Sequence, residues 1–316
     1  MIQPIKIGDI VYKNNLFMAP LAGYTDFAFR KLCYQFGAAL CFTEMVSSKG
    51  LVYGSEKTED LLHLKESEVG QTATQIFGSD PVIMRQACES EALKNFKHID
   101  INMGCPVPKI YKNGEGSALL NNLPLAEKII QECKKSNKVI TVKFRVGLEE
   151  NKLLAKEFAK LCEGAGADAV TIHGRVRSNG HSGEVDFKQI AAAKAAVKIP
   201  VIANGGIHSR QDALYTLQET GADGVMLARG AMDNPHIFKE ILEDVPPEDW
   251  CKKESMLQQL EEMQNFYPEK FTIVQMRKMI ALYSKGMPNS TNYRKQLFAC
   301  NSLKELKSII AQIFAN

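Results

Sequence analysis

VITVKFR (139–145), AVTIHGR (169–175), IPVIANGG (199–206) and GVMLARG (224–230) follow one plan: a short apolar run that ends in basic, imidazole or amide side chains or in glycine. Runs of four to six apolar and β-branched residues without strict alternation belong to strands covered on both faces, as in parallel sheets. Working outward toward the N-terminus, the pattern recurs at Leu16–Pro20 (LFMAP), Leu40–Met45 (LCFTEM), Thr72–Phe77 (TATQIF) and His98–Met103 (HIDINM). Eight strands alternating with helical segments predict an α/β fold, and a closed (β/α)₈ TIM barrel rather than an open doubly wound sheet.

The segments between the strands support this reading. Stretches 27–36, 81–95, 124–136, 153–164, 187–197 and 210–220 space their apolar residues at helical intervals. Pro81 and Pro124 stand at helix starts, and Ser209 is placed to cap the helix from Arg210. Gly164-Ala-Gly-Ala-Asp168 and Thr220-Gly-Ala-Asp223 predict one helix-to-strand turn used twice. Ile5–Ile7 and Ile10–Tyr12 flank Gly8-Asp9 and predict a hairpin closing the barrel floor. The barrel pattern stops near Glu243. Residues 1–243 are thus expected as a TIM-barrel domain, and residues 244–316, after a Pro246-Pro247 linker, as a small all-helical one.

Charge divides along the same line. The net charge is +3, yet residues 251–316 carry ten Lys/Arg against five Asp/Glu, so the barrel region is slightly acidic. Such a tail is either a solvated face or a surface for a polyanion. No apolar run is long enough to span a membrane, and no leader-like segment opens the chain. The eight cysteines lack paired C-x-x-C spacing and are expected mainly as buried thiols, in the cytoplasm, with no metal centre.

In such barrels chemistry gathers where strands end. The backbone N–H groups of Gly205-Gly206 and Arg229-Gly230, after the last two strands, predict a phosphate cradle. Lys143, between Val142 and Phe144, needs a partner; it is either an ion-pair member or a cation for negative charge on a bound ring. His173 is a core residue or a ligand contact, Gln75 suits the imide edge of a planar heterocycle, and Glu44 has no assigned role. Cys105 leaves the fourth strand in Asn102-Met-Gly-Cys-Pro106 and is the candidate general acid. Gly114-Glu-Gly-Ser117 behind it is expected as a mobile cover.

MAPLAGYTD (18–26), TQIFGSDP (74–81), DINMGCPVPKIYKNGEGSALL (100–120), VKFRVG (142–147), TIHGR (171–175), SGEVDF (182–187), IPVIANGGI (199–207) and LARGAMDNPHIF (227–238) together resemble the tRNA-dihydrouridine synthase family. MRKMIALYSKGMPNSTNYR (276–294) is similar to that family's helical RNA-binding domain. The resemblance implies FMN at the barrel mouth, NADPH as reductant, and a D-loop uridine of tRNA as substrate, reduced at C5=C6 with Cys105 as proton donor. It further implies flavin contacts at Pro20, Leu21, Ala22, Gln75, Lys143, His173, Asn204, Gly205, Gly206, Ala228 and Arg229. Asn102 is matched to the target nucleotide, and Arg145, Arg175, Arg277, Lys278, Arg294 and Lys295 are expected as RNA contacts. A monomer is expected. Two positions depart from the family pattern: Gly206 stands where an aspartate is common, and Ala228 where a glycine is. The competing readings are another FMN barrel, such as a dihydroorotate dehydrogenase, and a non-catalytic RNA-binding protein.

Overall fold

The computed structural model describes residues 1–315; Asn316, the last residue of the expected tail, lies outside the described residues. The eight expected strands form one closed parallel barrel. They are β1 (Leu16–Met18), β2 (Leu40–Ser47), β3 (Thr72–Phe77), β4 (His98–Met103), β5 (Val139–Glu149), β6 (Ala169–Val176), β7 (Val201–Asn204) and β8 (Gly224–Leu227). Each pairs with the next in parallel, and β8 returns to β1. β5 runs four residues past the expected Arg145 and turns back antiparallel through Lys152–Leu153.

The hairpin Ile5–Ile7/Ile10–Tyr12 is antiparallel and plugs the barrel bottom. Its Ile5, Ile7 and Tyr12 pack with Phe17, Leu40, Phe42, Val139, Ile202 and Met226 in an inner core distinct from the layer between strands and helices. Helix starts follow the sequence signals. Asp80 caps Pro81–Glu89 by accepting from the Val82 and Ile83 amides, and Ser209 caps Arg210–Thr220 by accepting from Asp212 N. The repeated turn is present twice. Asp168 accepts the Ile140 amide at 2.7 Å and pairs with Lys134, while Asp223 accepts the Val201 amide at 2.8 Å and pairs with Lys194.

Beyond the linker the chain is helical: Lys252–Gln264, Glu269–Tyr283, Ser290–Ala299 and Leu303–Ile313. These helices do not build a separate core. Met256, Leu260, Met276, Ile280 and Tyr283 belong to one continuous apolar cluster with Phe27 and Phe29 of the first barrel helix. Phe266 and Tyr267 pack their rings on Phe27 at 5.1 and 5.6 Å, and Glu262 pairs with Lys31 at 2.5 Å. The tail is therefore fused to the β1–β2 side of the barrel.

Candidate active site at the barrel mouth

Register assembles the site. Parallel pairing sets Gln75 of β3 beside Asp100 of β4, and Asp100 beside Thr141 of β5. One layer higher, Asn102 is level with Lys143. At the rim, Arg145, His173, Asn204 and Met226 follow one another across β5–β8. Because side chains alternate along a strand, His98, Asp100 and Asn102 turn inward while Ile99, Ile101 and Met103 face the helices.

These residues open onto a cavity of about 250 Å³. Pro20, Leu21, Ala22, Gln75, Asn102, Cys105, Lys143, Arg145, His173, Arg175, Asn204, Gly205, Gly206, Ala228 and Arg229 all line it, so every candidate on the barrel converges on one space. The cavity is small for a nucleotide-sized ligand but open at the mouth, where pockets of a few hundred Å³ are usual.

Lys143 Nζ donates to Asn204 Oδ1 at 2.9 Å, and Asn204 Nδ2 donates to Met226 O at 2.8 Å. Among the described residues no carboxylate bonds the amine directly, so this half-buried cation remains poorly compensated. Burial, then Arg145 nearby, push its pKa down to about 8. A buried cation without a close counter-ion is stabilised by any ligand that brings negative charge. On the neighbouring strand β6, His173 accepts from Arg175 Nη1 at 3.3 Å and is held neutral, because burial and the surrounding cations lower its pKa.

The turn after β7 leaves its main chain bare at the mouth. Gly205 and Gly206 have φ of +124° and +73°; a Cβ on Gly205 would stand 3.1 Å from the His173 ring and 3.3 Å from Arg175 Nη1. The main chain there must stay bare for its N–H groups to meet a ligand. Arg229 Nη2 donates to His181 O at 2.9 Å and lines the same rim. Amide side chains around Lys143, with a bare main chain beside Arg175 and Arg229, suit a planar ring that carries a phosphate.

Cys105 is more enclosed than a rim loop suggests, at 9% exposure. Its amide donates to Asn102 Oδ1 at 2.9 Å, and its carbonyl accepts from the Ser117 amide and hydroxyl at 3.1 and 2.8 Å. Burial pushes the thiol pKa up, with the Val107 amide, Arg145 and Lys143 opposing in part. The thiol thus keeps its proton at neutral pH, the state a proton donor needs.

Several expectations are revised by the geometry. Gly114–Ser117 is packed against the site, with Gly116 and Ser117 buried at the head of a 3-10 turn. Arg145, expected to contact RNA, is 2% exposed; its guanidinium donates to Gly104 O, Val176 O and Gly180 O at 2.8, 3.2 and 2.6 Å. It therefore braces the Cys105 loop against the β6 loop. Arg277 donates to Cys300 O inside the tail, and Lys278 donates to Gly23 O at 2.9 Å beneath the mouth. Arg294 and Lys295 are exposed. Glu44 gains a role: it accepts the Gly23 amide, so Glu44 and Lys278 grip the turn that follows Pro20–Ala22 from both sides. Cys251 is exposed, against the expectation that the other cysteines are buried. Asp100, Thr141, His98 and Tyr12 went unread, although inward polar residues at every second position of β4 carried the signal.

A parallel barrel whose mouth gathers a lysine, a bare-backbone glycine turn and an enclosed thiol around one cavity has the layout of a barrel enzyme. Its fold is shared with an old yellow enzyme homologue from Zymomonas mobilis, at a TM-score of 0.56 and 12% identity over 77% of this chain and 92% of that one. It is also shared with 6-hydroxypseudooxynicotine amine oxidase from Pseudomonas geniculata, at a TM-score of 0.62 and 14% identity over 84% of this chain and 55% of that one. The dihydrouridine synthase (Dus) family model matches residues 17–316. A probable tRNA-dihydrouridine synthase of Rickettsia conorii is 34% identical across 99% of this chain and 97% of its own. tRNA-dihydrouridine synthase B of Pasteurella multocida is 36% identical across 95% and 93%. The chain belongs to the dihydrouridine synthase family and is a flavin-dependent oxidoreductase. Among the described residues no helix is long and apolar enough to cross a membrane, and no cluster of three or more His, Cys, Asp or Glu could hold a metal ion.

Proposed function

We propose that this enzyme reduces the C5=C6 bond of a D-loop uridine in tRNA, with FMN in the mouth cavity, NADPH as reductant and Cys105 as proton donor. The observation that carries the reading is Cys105 itself: a thiol kept protonated by burial, lining the same cavity as Lys143 and the Gly205-Gly206 cradle. When bound, the flavin supplies a hydride to uracil C6. Lys143 offsets negative charge on the cofactor, Gln75 and Asn204 fix planar polar edges, and Gly205, Gly206 and Arg229 hold the phosphate. Pro20, Leu21, Ala22, His173 and Ala228 complete the cofactor's walls. Asn102 contacts the target base, and Cys105 delivers the proton to C5. The base must leave its stack to reach this cavity. Arg175 at the rim and the exposed Arg294 and Lys295 contact RNA phosphates. The enzyme acts as a monomer in the cytoplasm.

Cys105→Ala tests the assignment. Reduction by NADPH proceeds normally in this variant, because the thiol has no part in it. Reoxidation of the reduced enzyme by tRNA in a single turnover slows roughly 10²–10⁴-fold, as for a lost general acid. Wild-type reoxidation would remove Cys105 from the mechanism.

A further inference from the structure

The turn after β1 supplies one wall of the mouth cavity through Pro20, Leu21 and Ala22. Its two ends are tied to the barrel: the Ala19 amide donates to Leu227 O of β8 at 2.8 Å, and Arg30 Nη1 donates to Thr25 O at 2.9 Å. Within the turn, Leu21 O accepts the Tyr24 and Thr25 amides at 3.0 and 3.1 Å, and the Leu21 amide donates to Thr25 Oγ1 at 3.0 Å. These local bonds leave the N–H and C=O of Gly23 without a partner in the turn. Both are taken by charged side chains from elsewhere. Glu44 of β2 accepts the N–H, and Lys278 of the tail helix Glu269–Tyr283 donates to the C=O at 2.9 Å.

The two bonds act on one residue's backbone freedom. The N–H belongs to the peptide plane before Gly23 and the C=O to the plane after it, so holding both fixes the φ and ψ between them. Gly23 sits at φ +77°, where glycine is at ease but free to move, and it is the least constrained residue next to the wall. Charged partners make main-chain hydrogen bonds roughly twice as strong as neutral ones. Lys278 Nζ also lies 5.1 Å over the Tyr24 ring, and a Cβ on Gly23 would stand 3.3 Å from that nitrogen. Among the described residues the Gly23 carbonyl is its one hydrogen-bond acceptor. Gly23, Glu44 and Lys278 themselves lie outside the cavity lining.

We propose that Lys278 and Glu44 are positioning residues for the flavin: they clamp the two peptide planes that meet at Gly23 and so hold the Pro20–Ala22 wall in its binding shape. The proposal rests on the reading that the mouth cavity holds FMN. Lys278 then serves the cofactor site rather than the RNA surface, and the helical tail completes that site without touching the cofactor. Ordering the wall in advance removes a cost that FMN would otherwise meet on binding. The coupling runs both ways: a clamped turn keeps FMN longer, and bound FMN holds Lys278 more firmly on the turn.

Release of FMN from the loaded full-length protein after dilution, followed by recovery of flavin fluorescence, measures the wall. Lys278→Met and Glu44→Leu each release FMN roughly tenfold faster than wild type, the scale of one charge-assisted hydrogen bond. Glu44→Gln keeps an acceptor oxygen without the charge and falls between Glu44→Leu and wild type. In wild type, acetic anhydride labels Lys278 roughly fivefold more slowly when FMN is bound, relative to the exposed Lys295, and this arm needs no variant to fold. The salt slope of tRNA binding is unchanged in flavin-loaded Lys278→Met. Four results would each overturn the proposal: wild-type FMN release in folded Lys278→Met, release from Glu44→Gln as fast as from Glu44→Leu, equal Lys278 labelling with and without FMN, or a salt slope lowered by about one, the mark of a lost phosphate contact. Wild-type protein that binds no FMN refutes the parent reading along with the proposal, whereas FMN binding that the variants leave unmoved refutes the proposal alone.

Discussion

Lys143 sits in the sequence as a lysine between Val142 and Phe144, and that alone left two readings, an ion-pair member or a cation for a bound ring. The structure narrows them: among the described residues its one hydrogen-bond partner is the neutral Asn204. Burial holds its pKa near 8 in the folded chain, against about 10.4 for an exposed lysine. The unfolded state therefore binds more protons between those values, and this group's contribution to stability rises as pH climbs through that window. In flavin-free protein, the stability of wild type relative to Lys143→Met should rise with a slope of up to ~1.4 kcal/mol per pH unit above about pH 8. Denaturant titrations at several pH values measure it, and a flat difference would mean that Lys143 has an ordinary pKa and a counter-ion. In the flavin-loaded enzyme, Lys143→Met slows NADPH-dependent flavin reduction by about tenfold or more, the scale of one lost charge-stabilising group. Unchanged reduction kinetics would leave Lys143 a structural residue.

At the scale of elements, the eight strands and their order were readable because a parallel barrel strand is apolar on both faces and breaks pattern only where it ends. What stayed hidden is what lies between strands. Gln75 and Asn102 read as isolated amides, since the pairing of β3 with β4 and of β4 with β5 is set by tertiary register, not by local pattern. Gly114–Ser117 read as mobile because glycine permits many conformations, and a sequence does not say when one is enforced. Here it is: Gly116 has φ +60°, and a Cβ there would lie 3.0 Å from Cys105 O and 3.1 Å from Cys105 Cβ. Gly116→Ala should cost about 1–3 kcal/mol from backbone strain and displace the Cys105 loop. Thermal melts and Cys105 labelling measure both effects. A neutral substitution with unchanged labelling would show that the turn is as loose as its composition suggests.

At the scale of the whole molecule, the division of charge was legible in the sequence, but its disposition was not. Residues 271–316 hold seven Lys/Arg against one Asp/Glu, and Arg277 and Lys278 looked as available as Arg294 and Lys295. Folding separates them: the first two bond carbonyls within the chain, while Arg294 and Lys295 face solvent. Reversing Arg294 and Lys295 to Glu should weaken tRNA binding about tenfold or more and reduce the salt slope of log K by roughly 2, one phosphate contact each. An unchanged slope would make that face merely solvated. The tail's shared core and its grip on the turn at Gly23 fix this surface relative to the mouth. The most direct measurement of the whole account is dihydrouridine mapping in unmodified tRNA incubated with the flavin-loaded enzyme and NADPH. The account predicts dihydrouridine confined to D-loop uridines, formed one for each NADPH oxidised. NADPH oxidation that leaves every D-loop uridine intact, or reduction of free pyrimidines in preference to tRNA, would contradict it.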